Sequence, residues 1–315
     1  MRLLAGLGWC ARHGRLALVA GLVCGVVLPG LAEMMRPAIA PLVVALLFLA
    51  VLRLGPAGVR LGLGGLGQAL RFALVLQLAL PLVAIGICSA LGVMAQPLAM
   101  GVALMLAAAP ITGSPHIAWM VGADPAPALR QMVVGTALLP LTALPVFWLL
   151  PAFGSHMQVV TSVARLLGLI GLAGGLALLL RHWRIVPGSA PVLAAIDGIA
   201  TIALGLVVIG LMVAVGPALR GAEAGLFITL GLVTALNFGL QIAASLMVAR
   251  HDPALAAPIG IIAGNRNIAL FLGVLPAGLV SDLLLLIGCY QIPMYLTPLM
   301  LRRWYHVPPR HSRPR

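Results

Sequence analysis

The sequence predicts an all-α polytopic membrane protein of about ten transmembrane helices, and three observations carry that prediction. Hydrophobic residues fill 62% of the 315 positions and charged residues only 8%, against roughly 25% charged in a soluble domain. The mean hydropathy is +1.16. Apolar runs of about 20 residues, the length that crosses a hydrocarbon core about 30 Å thick, follow one another with only short gaps of Gly, Pro and Arg. The length holds roughly ten such runs and no separate soluble domain, so residues 1–315 are read as a single membrane domain.

The runs fall at 14–33, 37–54, 69–94, 97–121, 127–151, 157–180, 192–217, 223–249, 254–276 and 279–301. The first follows Arg12 and Arg15, as the core of a signal peptide would. It is longer than such a core, lacks an A-x-A site and leads directly into another span, so it is read as helix 1. Residues 302–315 are read as a basic tail.

Every Lys or Arg position is arginine, and the net charge is +13. With the N-terminus inside, fifteen of the nineteen arginines lie in inside segments, Arg36 and Arg220 lie outside, and Arg165 and Arg266 fall within spans. This bias predicts a multi-pass protein of the inner (cytoplasmic) membrane with both termini cytoplasmic. The arginines sit in gaps and form no basic face, which excludes nucleic acid as a partner and leaves the lipid bilayer. Cys10, Cys24, Cys88 and Cys289 are scattered, with no CxxC pair and no nearby histidines at metal-ligand spacing. They read as small apolar residues, and no metal site is expected.

An internal repeat organises the chain. Ala108-Ala109-Pro110-Ile111 in span 4 recurs as Ala256-Ala257-Pro258-Ile259 in span 9. Gly113-Ser114-Pro115-His116-Ile117-Ala118 is echoed by Gly264-Asn265-Arg266-Asn267-Ile268-Ala269. Five helices separate the copies, so the two halves, about 14–151 and 157–301, enter the membrane with opposite polarity. Such inverted repeats build midplane sites from discontinuous helices. Pro110, Gly113 and Pro115 interrupt span 4; Pro258, Gly260 and Gly264 interrupt span 9. Unwound backbone at that depth must line a cavity or pack on protein.

Polar residues gather at the two breaks: Thr112, Ser114 and His116 at one, Asn265, Arg266 and Asn267 at the other. Arg266 carries the most information, because an arginine inside an apolar helix costs at least about 2.5–3.5 kcal/mol. It must face protein, either to bind an anionic substrate or to tie the carbonyl ends of a broken helix. Gln77 in span 3 is read as a ligand or as interhelical glue, with Gln68 just before it. His116 is read as a proton shuttle or as a structural histidine. Asp197 and Asp282 stand near span starts and read as interfacial, Asp197 also as a possible answer to Arg266. No HExxH, Walker loop, nucleophile elbow or carboxylate pair within a span occurs, so an enzyme is not expected.

At spans 3, 4 and 9 the chain resembles the bile acid:sodium symporter family. Gln77 in LQLALPL is similar to the family's glutamine before the MPL of helix 3, and APITGSPHIAWMVGADP resembles its PGGxASN…GD of helix 4. TALLPLTALP is similar to the segment that follows, and AGNRNIAL resembles the helix-9 GxQNSxLA, with Asn265, Arg266 and Asn267 on its Q-N-S positions. The resemblance implies two inverted five-helix repeats with crossed discontinuous helices 4 and 9. It also implies a core of helices 3–5 and 8–10 moving against a panel of helices 1, 2, 6 and 7. The family's acidic sodium ligand falls on Ile261, Ser114 or His116 covers part of its helix-4 Ser-Asn pair, and Thr136 is the nearest residue to its helix-5 hydroxyls. A sodium cofactor would therefore lack its carboxylate, and Arg266 stands where it can replace the cation. The expectation is a secondary transporter of a small organic anion by alternating access. A cation/proton exchanger of the same architecture and a non-transporting sensor or scaffold are the rivals.

Overall fold

A backbone in lipid must satisfy its own N–H and C=O groups, and this chain does so with helices throughout. The computed structural model describes residues 2–305, so positions 306–315 of the expected tail lie outside the described residues. Among the described residues no strand occurs. Seven helices are long and apolar enough to cross a membrane: Pro29–Leu63, Leu66–Ala90, Pro125–Leu149, His156–His182, Ala190–Leu211, Ala224–Ala249 and Ala277–Met300. Leu16–Val27, Pro97–Ala107 and Pro253–Gly264 are apolar but shorter. The last two are the first halves of the runs in which Pro and Gly predicted a break.

In chain order, α1 (Arg2–Arg12) and α2 (Gly14–Val27) follow one another across His13, and Pro29 then opens α3 (Pro29–Met35). Next comes α4 (Ile39–Leu63), which runs nine residues beyond the expected end at 54. It bends at Gly55, which has φ +62 and precedes Pro56. A side chain there would also meet Arg181, whose Nε lies 3.0 Å from an ideal Cβ. Glycine is therefore required twice over. α5 (Leu66–Ala73), a π-helical turn (Leu74–Ala79) and α6 (Leu80–Ala90) form one continuous helix.

α7 (Pro97–Ala107) and α8 (Ser114–Met120) are followed by α9 (Pro125–Leu149), α10 (His156–His182), α11 (Ala190–Leu211) and α12 (Val215–Arg220). The described residues end with α13 (Ala224–Ala249), α14 (Pro253–Gly264), a 3-10 turn (Ile268–Gly273), α15 (Ala277–Met300) and α16 (Arg302–Tyr305). Two Asp-Pro pairs start helices: Asp124 caps the Ala126 N–H at 2.9 Å and Asp252 caps that of Ala254 at 3.0 Å. Each supplies an N-cap acceptor and a proline where its missing N–H costs nothing. Ser155 and Gln158 cap α10 together, Ser155 Oγ accepting from Gln158 N–H and Gln158 Oε1 from Gly154 N–H.

The helices pack in two groups. In the first, α11 lies against α1, α2, α3 and α4, and α4 lies against α10. In the second, α13 packs on α14 and α15, α9 on α5, α8 and α14, and α7 on α6 and α15. The groups meet where α9 touches α4 and α10, and where the 3-10 turn touches α4. Asp197 stays inside the first group, ion-paired to Arg53. It does not answer Arg266. Many large apolar side chains remain exposed, among them Leu16, Val19, Leu167 and Leu172, as a lipid-facing surface requires.

Candidate functional site

The two breaks meet as backbone. The Ile111 N–H donates to the Asn265 carbonyl at 3.0 Å and the Asn267 N–H to the Ala109 carbonyl at 2.7 Å. Pro110 and Arg266 thus face one another in a single antiparallel bridge. Each segment satisfies the groups that the other's interruption sets free, so neither break is stable without the other.

Arg266 is 1% exposed, and its guanidinium is spent on main-chain oxygens. Nε donates to Ala263 at 3.0 Å, Nη1 to Ala108 at 3.2 Å and Nη2 to Leu76 at 3.1 Å. The reason lies in three local interruptions. Ala263 is in the last turn of α14, and Ala108 directly follows α7, so both are carbonyl ends with no following helical turn. Leu76 lies in the π-helical turn, where Leu80 N–H bonds to Val75. The next π-type donor to Leu76 would be residue 81, which is a proline and has no N–H. The carbonyl ends of two half-helices also carry partial negative charge. A guanidinium fits there as a fixed cation, held by charge-assisted bonds worth roughly 1.5–3 kcal/mol each, which offset the cost of burying it.

On the other side of the crossing a polar network fixes Asn265. Its Oδ1 accepts from Asn237 Nδ2 and Thr297 Oγ1, both at 3.2 Å, and its Nδ2 donates to the Ile261 carbonyl at 3.0 Å. Asn237 Nδ2 donates also to the Gly264 carbonyl at 2.7 Å, and Gln241 Nε2 to Asn237 Oδ1 at 2.7 Å. Gln241 Nε2 further reaches Thr297, while its Oε1 accepts from Tyr305 at 3.2 Å. The Tyr290 hydroxyl accepts the Arg266 N–H at 2.8 Å and donates to Gly264. A Cβ on Gly264 would collide with the Asn237 carbonyl oxygen, which explains the glycine.

The structure sorts the sequence-expected residues. Asn265 and Arg266 stand at the centre. Gln77 is fully buried beside them, its Nε2 donating to the Gly135 carbonyl at 3.1 Å. Its Oε1 is buried without a hydrogen-bond partner. Gly135 leaves it room, since a Cβ there would lie 2.5 Å from Oε1 and 2.9 Å from Pro110 Cδ. Ser114 is buried and bonds the Ile111 carbonyl at 2.8 Å, holding its own break in shape. Thr136 is 9% exposed on α9, and Thr112 and Asn267 are half-buried at the breaks. His116 is exposed on α8 and stacks on Trp119 with centroids 5.7 Å apart. Ile261 is buried in an apolar cluster.

Asn237, Gln241, Thr297, Tyr290 and Tyr305 escaped the sequence reading. One signal was there to find. Asn237, Gln241 and Ser245 stand at four-residue steps in an otherwise apolar span, so they share one helix face.

The two sides of the crossing differ in cover. Beyond Asn267, residues Ile268 to Leu272 are all buried, and their turn packs on α4. Beyond Pro110, α8 packs on α9, α14 and α15 within its own group and leaves His116 and Trp119 exposed. No protein-family model matches the chain, and no curated protein matches it significantly.

Proposed function

We propose that the chain is a secondary transporter of small organic anions that carries its own cation at the crossing. Its helices would make ten passes in two inverted repeats, similar to the bile acid:sodium symporters. The observation that carries this reading is the antiparallel pairing of residues 109–111 with 265–267 around the Arg266 guanidinium. A packed, unwound crossing at membrane depth serves no purpose in a passive anchor, whereas transporters build their sites from it.

Arg266 supplies a permanent positive charge, and no carboxylate is paired with it among the described residues. That charge favours an anion nearby, without the guanidinium having to touch it. Carbonyl ends that would otherwise gather a metal cation are already filled, which favours uptake independent of sodium. The second helix group would move against the first to alternate access.

The test is uptake of a panel of small organic anions by the purified protein in proteoliposomes, with sodium or choline outside. Uptake equal in both, and lost in Arg266→Ala, is the expected result. Steep sodium dependence would remove the built-in cation, and no uptake of any anion would remove the transporter.

A further inference from the structure

The structure carries a second feature, remote from the crossing, that also suits an anion. Between the two helix groups lies a half-open cavity of about 270 Å³. One wall comes from the start of α4 and the turn before it, with Arg36, Ile39 and Ala40; the other comes from Leu272, Val280 and Leu284. This volume is near the lower end of small-molecule pockets, roughly 300–1,000 Å³. The walls are apolar except at one point. There Arg36, whose side chain is 39% exposed, donates from Nη2 to Ser281 Oγ at 2.8 Å.

Arg36 is the one charged residue among those lining this cavity. Arg36 has one acidic neighbour, Glu33, whose carboxylate is 3.7 Å away and 64% exposed, so the pair is loose and water-screened. Asp282 lies about 200° around α15 from Val280 by helical geometry, away from the wall that Val280 and Leu284 share. Arg165 is exposed on α10. It stands one turn from Leu169, which lies against Gly273 beside Ala40. An apolar slot with a guanidinium at its lip matches one ligand chemistry: an anionic oxygen head on a short apolar body.

We propose that this cavity is a second anion site, binding an amphipathic carboxylate or a lipid headgroup with the first part of its chain. Its occupant lies on the well-covered side of the crossing and touches both helix groups, so it holds them at their present separation. The site does not depend on the transport reading, because its occupancy is an equilibrium property.

The experiment is calorimetric titration of the full chain in phosphatidylcholine nanodiscs with hexanoate, hexanol and hexylammonium. Hexanoate is expected to bind at least about tenfold more tightly than either other probe, the size of one charge-assisted bond. Arg36→Gln should weaken hexanoate about tenfold or more, and Val280→Phe, which fills the slot and keeps the charge, should abolish it. Two variants with opposite chemistry separate loss of a site from loss of the fold. Competition by added phosphatidylglycerol assigns the site to a lipid headgroup, and its absence assigns it to a soluble anion. Equal binding of hexanol and hexanoate, or unchanged hexanoate binding in both variants, overturns the proposal.

Discussion

Arg266 Nη2 and the Leu76 carbonyl, 190 positions apart in sequence, are joined by a hydrogen bond of 3.1 Å. The bond exists because Pro81 has no N–H to offer Leu76 within its own helix. Pro81→Ala would restore that local donor and set it in competition with the guanidinium. A double-mutant cycle of Pro81→Ala with Arg266→Lys, read by thermal unfolding in detergent, should give a coupling of about 0.5–3 kcal/mol. Purely additive effects would show that the two do not share the carbonyl.

Arg266→Ala removes the donor from three buried carbonyls, each costing roughly 1–3 kcal/mol when left unmade. A loss of about 3 kcal/mol or more is expected, seen as a large fall in Tm. Methylguanidinium in the buffer should recover part of it and choline should recover none, because the vacated place fits a small planar cation. Equal behaviour of the two cations would contradict a cation-shaped seat.

The network on the opposite side makes its own prediction. Asn237→Ala strips the Gly264 carbonyl, Asn265 Oδ1 and Gln241 of one partner each. It should cost about 2 kcal/mol or more. Tyr305→Phe loses only the bond to Gln241 Oε1 and should cost about 1 kcal/mol. The order of the two Tm values is the measurement. A reversed order would mean that α16, not α13, secures the crossing.

Two glycines should respond for different reasons. Gly264→Ala places a methyl against the Asn237 carbonyl oxygen, and overpacking of this kind costs about 1–3 kcal/mol or more. Gly55→Ala strains a residue at φ +62 and ψ −179, a conformation essentially only glycine adopts, at a cost of about 1–3 kcal/mol, and pushes on Arg181, away from the crossing. Size-exclusion profiles and Tm should show the first variant more damaged than the second. Uptake per folded molecule should fall only in the first.

Much of this site was legible residue by residue. Pro110 and Gly113 announced one break and Gly264 the other, because proline and glycine act on the backbone locally; Pro258 and Gly260, expected to interrupt span 9, instead lie inside α14, which runs unbroken to Gly264. Arg266 announced that it must be buried against something, because an arginine in an apolar run has no cheaper resting place. His116, three residues from Gly113, is exposed on α8. Asp197, offered as a partner for Arg266, pairs with Arg53 instead. Asn237, Gln241 and Thr297 were hidden because an amide or hydroxyl in an apolar helix declares polarity but not the group it will meet.

The sequence by itself determined that the chain is helical and apolar, that the runs at 97–121 and 254–276 are interrupted, and that one arginine lies within such an interruption. These follow from hydropathy and from the backbone chemistry of proline and glycine, which act within a few residues. Only the tertiary structure decided that the two interruptions satisfy each other, and that the arginine spends its donors on Ala263, Ala108 and Leu76. An unpaired carbonyl shows in a sequence as a vacancy, and its donor becomes known only when distant helices are packed together.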